Sequence, residues 1–185
     1  MDKIFISPNK MEKDSWEFAI NLHKTGEVFD WVVGVTRGGA QISVYVQEAL
    51  SLISKKTKSY ATIHAYSYTG IGEAKSEVMV RDLEPLLADI KEGESILVID
   101  DVFDRGVTLS AIKDKLEARL KDKKATVKLG ALYYKPENST VSIAPDFYFR
   151  TYKGADWLVF PHELCDLTHD ELRIKNFPVD LAFSE

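Results

Sequence analysis

Four consecutive branched aliphatic residues, Ile96-Leu97-Val98-Ile99, end directly in a pair of carboxylates, Asp100 and Asp101. Side chains alternate faces along a strand, so a stretch with no polar member has both of its faces covered. That places it inside a parallel sheet with helices packed on either side, which in turn requires helical crossovers before and after it.

The rest of the chain supplies them. Ser7-Pro8 offers an N-cap and a first-turn proline, and Trp16, Phe18, Ala19, Ile20 and Leu22 then recur at near-helical spacing as far as Thr25-Gly26. Residues 30–36 (DWVVGVT) read as a strand, Arg37-Gly38-Gly39 as a loop, and the apolar positions from Ile42 to Leu50 as a helix. Residues 60–66 are β-prone, whereas 67–80 mix glycine, charge and hydroxyls without periodicity and are expected to form a long exposed excursion. A helix over residues 82–91, a second over 109–120 and a strand over 125–134 complete the alternation. Beyond them only residues 146–150 and 157–160 form short aromatic or apolar segments.

The fold expected is α/β: a central, mostly parallel sheet flanked by helices, with a small C-terminal hood. With 185 residues and 45% hydrophobic content the chain suits one domain, its core over about residues 27–150 and its hood over about 151–185.

Cys165 is the only cysteine, so an internal disulfide is impossible, and it is expected to be a small buried hydrophobe. No apolar stretch is long enough to span a bilayer, and no secretory leader pattern opens the sequence, so a cytoplasmic protein without a membrane partner is expected. The formal net charge of −5 gives no overall attraction to nucleic acid, although such a sum does not exclude a local basic patch.

In open parallel sheets, ligands collect beyond the carboxyl ends of the strands, and here the unusual polar clusters all follow predicted strands. Two adjacent carboxylates can accept hydrogen bonds from neighbouring sugar hydroxyls. The turn and helix start that follow can aim backbone amides and the Thr108 hydroxyl at a phosphate. Taken singly, Asp100, Asp101 or Asp104 would be read as a turn or cap residue; three at this spacing point to a sugar-phosphate site.

The segment ILVIDDVFDRGVT (96–108) resembles the signature of the type I phosphoribosyltransferases, an apolar strand, two acidic residues, two apolar residues and Asp-Thr-Gly-x-Thr. The resemblance implies that Asp100, Asp101, Asp104, Arg105, Gly106, Val107 and Thr108 bind phosphoribosyl pyrophosphate. Arg105 stands where the family usually has threonine, exchanging a hydroxyl for a cation. Val107 occupies a variable position whose contribution comes through its backbone.

VGVTRGG (33–39) is similar to the family's pyrophosphate loop, which implies pyrophosphate contacts from Thr36, Arg37, Gly38 and Gly39 and a non-proline cis peptide at Thr36–Arg37. Ser67-Tyr68 resembles the pair that opens a mobile lid over pyrophosphate in related purine enzymes; an ordinary connector with an incidental tyrosine reads equally well from the residues alone.

Lys135 follows the strand at 125–134, and by resemblance to hypoxanthine, guanine and xanthine phosphoribosyltransferases it would donate to the exocyclic oxygen of a 6-oxopurine. The segment Asp156-Trp157-Leu158-Val159-Phe160-Pro161-His162-Glu163 resembles Trp-x-x-Phe-Pro-Trp-Glu of microbial and archaeal relatives. It implies stacking of the base on Trp157 and backbone recognition near Leu158. His162 replaces the second tryptophan, and Glu163 matches an acidic position near a magnesium ion, so that Mg²⁺ would be held by Asp100, Asp101 and Glu163.

The activity implied is Mg²⁺-dependent transfer of a phosphoribosyl group to a 6-oxopurine, with Asp104 accepting or positioning the proton at N7. Phosphoribosyl pyrophosphate and a purine base would be its partners, and a homodimer or homotetramer its assembly. A nucleotide-sensing regulator without activity, or an enzyme for another base, remain the alternative readings.

Overall fold

The computed structural model describes residues 2–56, 58–68 and 77–183, with the backbone alone for residues 67, 68 and 77. The elements follow in the order β1 (Lys3–Phe5), α1 (Pro8–Lys24), β2 (Trp31–Thr36), α2 (Gly38–Ser54), β3 (Ser59–Tyr68), β4 (Glu77–Arg81), α3 (Leu83–Asp89), β5 (Ser95–Phe103), α4 (Val107–Leu120), β6 (Thr126–Tyr134), β7 (Phe147–Thr151), β8 (Trp157–Val159), α5 (His169–Ile174) and α6 (Val179–Ala182).

A six-stranded sheet has the order β4-β3-β2-β5-β6-β7, and every neighbour pair in it is parallel except β3 with β4. β5 is therefore interior, as its unbroken apolar stretch requires. Its side chains divide by parity: Ile96 and Val98 join Leu86, Leu109, Ile112 and Leu116 from α3 and α4 on one face. Leu97 and Ile99 join Phe18, Leu22, Ile42 and Val46 from α1 and α2 on the other. Each such side chain removed from water contributes roughly 1.5–3 kcal/mol, which fixes the strand in register against both helical layers.

α1 begins as its sequence demands, with the Ser7 hydroxyl accepting from the Lys10 amide at 3.2 Å and Pro8 in the first turn. Among the described residues no helix is long and apolar enough to cross a membrane.

Three expectations change. The β-prone segment does not stop at residue 66. β3 continues to Tyr68, and β4 returns antiparallel along it, with Ser67 opposite Val78 and Tyr68 opposite Glu77. The excursion thus begins and ends in paired strands, and residues 69–76 between them lie outside the described residues. The hood is more ordered than its weak periodicity suggests: β1 pairs with β8 in parallel, and α5 opens with a reciprocal capping box between Thr168 and Glu171. Cys165, finally, is exposed rather than buried, because it sits in the turn between β8 and α5 rather than on an inward face.

Candidate active site

The carboxyl ends of β2 and β5 converge because two glycines let α2 begin directly against the carboxylate pair. A Cβ on Gly38 would lie 2.1 Å from Oδ2 of Asp101, and one on Gly39 would lie 2.2 Å from the Ile99 carbonyl oxygen and 2.8 Å from the Asp100 Cα. At Gly39, where the neighbours are backbone, only hydrogen fits; at Gly38 the Asp101 carboxylate would have to move. The Gly39 amide donates to the Asp100 carboxylate, which also accepts from the Asp101 amide at 2.9 Å. Asp101 accepts from the Val102 amide at 2.7 Å. Burial, and next the charge of Asp101, hold the Asp100 carboxyl well above the usual carboxylate range. Two carboxylates in this position repel one another until hydroxyls or a cation share the charge.

The Thr36–Arg37 peptide is cis, as the resemblance implies. Thr36 turns its hydroxyl to the Ile63 carbonyl at 3.2 Å and to Nδ1 of His64 at 3.0 Å, while Arg37 is exposed at the cleft edge. Of Ser67 and Tyr68 the backbone lies at the carboxyl end of β3, on the same edge of the sheet.

β5 ends at Phe103, and the chain turns through Asp104, Arg105 and Gly106 into α4. Gly106 has φ +79, and a Cβ there would strike the Phe103 ring at 2.4 Å and Val141 at 2.6 Å. No side chain caps α4, and its first amide bond is donated by Ser110 to the Gly106 carbonyl. The amides before it face a hollow of about 200 Å³ lined by Asp100, Asp104, Arg105, Gly106, Val107 and Thr108. An uncapped helix start around such a hollow leaves backbone donors that suit a phosphate.

A second hollow of about 180 Å³ adjoins it, lined by Asp101, Asp104, Lys135, Trp157, Leu158 and Glu163 among others. Trp157 is half-buried, with the Lys3 ammonium 5.1 Å from its ring centroid. Lys135 is 5% exposed and donates to the Asp156 carbonyl. Glu163 accepts from the Phe160 amide at 2.8 Å, which closes the 160–163 turn. His162 stacks on Phe160 and brings Nε2 to 3.6 Å from Oδ2 of Asp101, while its buried Nδ1 has no hydrogen-bond partner among the described residues.

Of the residues singled out in the sequence, Asp100, Asp101, Asp104 to Thr108, Lys135, Trp157, Leu158 and Glu163 thus line two adjoining hollows that share Val102 and Asp104, whereas Thr36, Arg37, Gly38 and Gly39 and the backbone of Ser67 and Tyr68 line neither and lie beside them at the carboxyl ends of β2 and β3. Two residues with a part in this site went unmarked. Asn138 donates to Oδ1 of Asp104 at 2.8 Å and fixes that carboxylate. Lys175, at the end of α5, donates to the carbonyls of Phe160 and Glu163, and so clamps the turn that carries His162. Neither belongs to a recognisable motif; Asn138 reads as a turn residue and Lys175 as a helix-end cation.

The model of the phosphoribosyl transferase domain matches residues 6–168. The chain belongs to the phosphoribosyltransferase family. The hypoxanthine-guanine phosphoribosyltransferase of Bacillus subtilis is 26% identical over 152 residues, covering 80% of this chain and 77% of its own. Among solved structures, a purine phosphoribosyltransferase from Pyrococcus horikoshii superposes with a TM-score of 0.66 over 91% of this chain and 99% of that one, at 23% identity. A hypothetical protein from Neisseria gonorrhoeae with bound ppGpp superposes with a TM-score of 0.72 over 98% and 97%, at 20% identity. At these identities the two structures speak to the fold alone, and they share the parallel sheet and flanking helices of this phosphoribosyltransferase.

Proposed function

We propose that this chain transfers the 5-phosphoribosyl group of phosphoribosyl pyrophosphate to a 6-oxopurine, hypoxanthine, guanine or xanthine, forming a nucleoside monophosphate and pyrophosphate in purine salvage. The observation that carries this reading is the shared carboxylate: a phosphate cradle and an aromatic-walled hollow meet at Asp104. The named activity of the Bacillus subtilis relative supports the choice of acceptor.

In this reading the 5-phosphate lies against the amides at the start of α4 and the Thr108 hydroxyl. The ribose hydroxyls donate to Asp100 and Asp101, and the pyrophosphate lies along residues 36–39 beside Arg37. The purine stacks on the face of Trp157 away from Lys3. Lys135, whose ammonium carries three donors, turns one to the 6-oxo group; the amino group of adenine would oppose donor with donor. As the bond from the anomeric carbon to pyrophosphate breaks, a ring nitrogen of the purine bonds to that carbon from the opposite face. Asp104, steadied by Asn138, accepts the N7 proton.

The donor chemistry fits Mg²⁺, since Asp100, Asp101 and Glu163 offer hard carboxylate oxygens. Among the described residues no three such side chains gather as a metal site, so these carboxylates would act singly or in pairs and substrate oxygens would complete the coordination. When bound, Mg²⁺ offsets the charge gathering on the departing pyrophosphate. In this reading the protein works in the cytoplasm, with neither nucleic acid nor membrane as partner. A broad apolar hollow of about 530 Å³ on α1 and α2, lined by Trp16, Ile20, Leu52 and Ile53, supports a homodimer or homotetramer by offering a face to bury.

The test is pyrophosphate release with phosphoribosyl pyrophosphate, Mg²⁺ and, separately, hypoxanthine, guanine, xanthine, adenine and orotate. Release that depends on a 6-oxopurine and is lost in Asp104→Asn is expected. Silence with all five bases despite ligand binding would replace the enzyme by a nucleotide sensor.

A further inference from the structure

At the opposite edge of the sheet from the cleft, the sequence Ser54-Lys55-Lys56-Thr57-Lys58 puts three lysines among four residues where α2 gives way to β3. His23 and Lys24 end α1 close by in the fold, so a chain of net charge −5 gathers cations at this corner. A hollow of about 220 Å³ opens there, lined by His23, Val28, Phe29, Leu50, Lys56 and Lys58 and, as its one carboxylate, Glu27.

Lys58 is the anomaly. It is 5% exposed, yet its ammonium has no hydrogen bond or ion pair among the described residues. Its backbone is pinned: the amide donates to Ser51 Oγ at 3.0 Å, and the carbonyl accepts from Gln47 Nε2 at 2.8 Å. The side chain is therefore held in the wall of the hollow by the fold rather than by a counter-ion. The opposite charge it feels is that of Asp30, whose carboxylate is already engaged by Lys56 at 3.1 Å and by the Ser95 amide at 3.1 Å. Burial first, and Lys56 second, hold the Lys58 ammonium below the usual lysine range, as expected of a cation whose compensation is missing.

We propose that this hollow is a second binding site, for a small anion in which a phosphate or carboxylate is joined to a compact apolar group, with Lys58 as its counter-charge. The anionic group would meet Lys58, with Lys56 and His23 beside it. The apolar part would lie on Phe29, Leu50 and Val28. The space corresponds to about seven water molecules at ~30 Å³ each, which suits one ring with its charged group rather than a nucleotide. The site is concave and partly apolar instead of a flat stripe of cations, which sets it apart from a polyanion surface.

The test uses the full chain, with phenyl phosphate and benzoate as probes and amide chemical shifts as the readout, while excess pyrophosphate and Mg²⁺ occupy the cleft. Saturable shifts centred on Gly26, Val28 and Lys58 are expected from at least one probe. Binding by phenyl phosphate alone assigns a phosphate ligand, by benzoate alone a carboxylate, and by both a site that reads charge.

Lys58→Met keeps the buried stem and removes the charge, so it should weaken binding at least tenfold while leaving phosphoribosyl transfer unchanged. Val28→Glu adds a carboxylate at a rim position that is 61% exposed and tolerant of change, and should weaken binding to the same extent. Absence of saturable shifts at these residues with both probes, or equal affinity in the wild type and both variants, overturns the proposal. Neither outcome depends on which base the cleft accepts.

Discussion

Gly39→Ala tests the link between the pyrophosphate loop and the carboxylate pair. The added methyl would start 2.2 Å from the Ile99 carbonyl oxygen and 2.8 Å from the Asp100 Cα, both backbone atoms of an interior strand. No side chain can rotate away, so the first turn of α2 must retreat by about 1 Å, a misplacement of the kind that costs catalysis ~10²-fold. The retreat also withdraws the Gly39 amide from Asp100. Catalytic efficiency in the pyrophosphate-release assay should fall about a hundredfold, equivalent to ~2.7 kcal/mol of transition-state stabilisation. Overpacking of this order destabilises by roughly 1–3 kcal/mol, read as a lower urea midpoint at constant slope. Gly93→Ala is the control: its φ is +76 and no atom lies within 4 Å of the new methyl, so it should lose ~1–2 kcal/mol of stability and no activity. If Gly39→Ala stays within threefold of wild-type efficiency, the close approach is not what positions the loop, and the account would be refuted.

Asn138→Ala removes the donor to Asp104 and should lower kcat by about tenfold, with little effect on the KM for phosphoribosyl pyrophosphate, in steady-state kinetics. Lys175→Met leaves the Glu163 carbonyl without its donor and the Phe160 carbonyl with the Glu163 amide alone; a loss of roughly 1–3 kcal/mol in chemical denaturation and a raised KM for the base are expected. Ser7→Ala should cost roughly 0.5–2 kcal/mol through the lost N-cap of α1, without changing turnover. For Asp30, burial pushes the carboxyl up, but hydrogen bonds from Ser95 and Lys56 together outweigh it and leave the group below its ordinary value. Its contribution is therefore complete above the unfolded-state pKa of ~3.9 and is lost as pH falls through the lower folded value, so Asp30→Asn should flatten the acid limb of the stability–pH curve.

The interior of the fold was legible because burial on both faces forces a simple pattern, and β5 shows it best: four aliphatic residues and then a sharp change to charge. The phosphate site was legible for the same reason, since its residues are contiguous. What escaped was held together across long sequence distances. β1 is three residues long and is a strand only because β8 lies beside it. β4 mixes charged and apolar residues, because an antiparallel edge strand need not bury both faces. Lys175 acts through its ammonium on two backbone carbonyls, a role that leaves no trace in residue type. Cys165 was misplaced because a cysteine's usual burial is a statistical tendency, and here the residue sits in a turn.

The acceptor hollow is closed by segments from far apart in the chain. The Ile6 amide donates to the Val159 carbonyl, and Lys3 reaches over Trp157 to Glu171, 168 residues away. During synthesis the hollow at the turn from β5 into α4, whose partners reach only to residues 138–141, has all of its residues before the hood is added. The base site does not, because residues 3–6 must wait for residues 157–175 to emerge. An affinity tag fused next to Lys3 would therefore press on the part of the molecule that chooses the base, whereas one placed in the turn after α4 would leave it untouched.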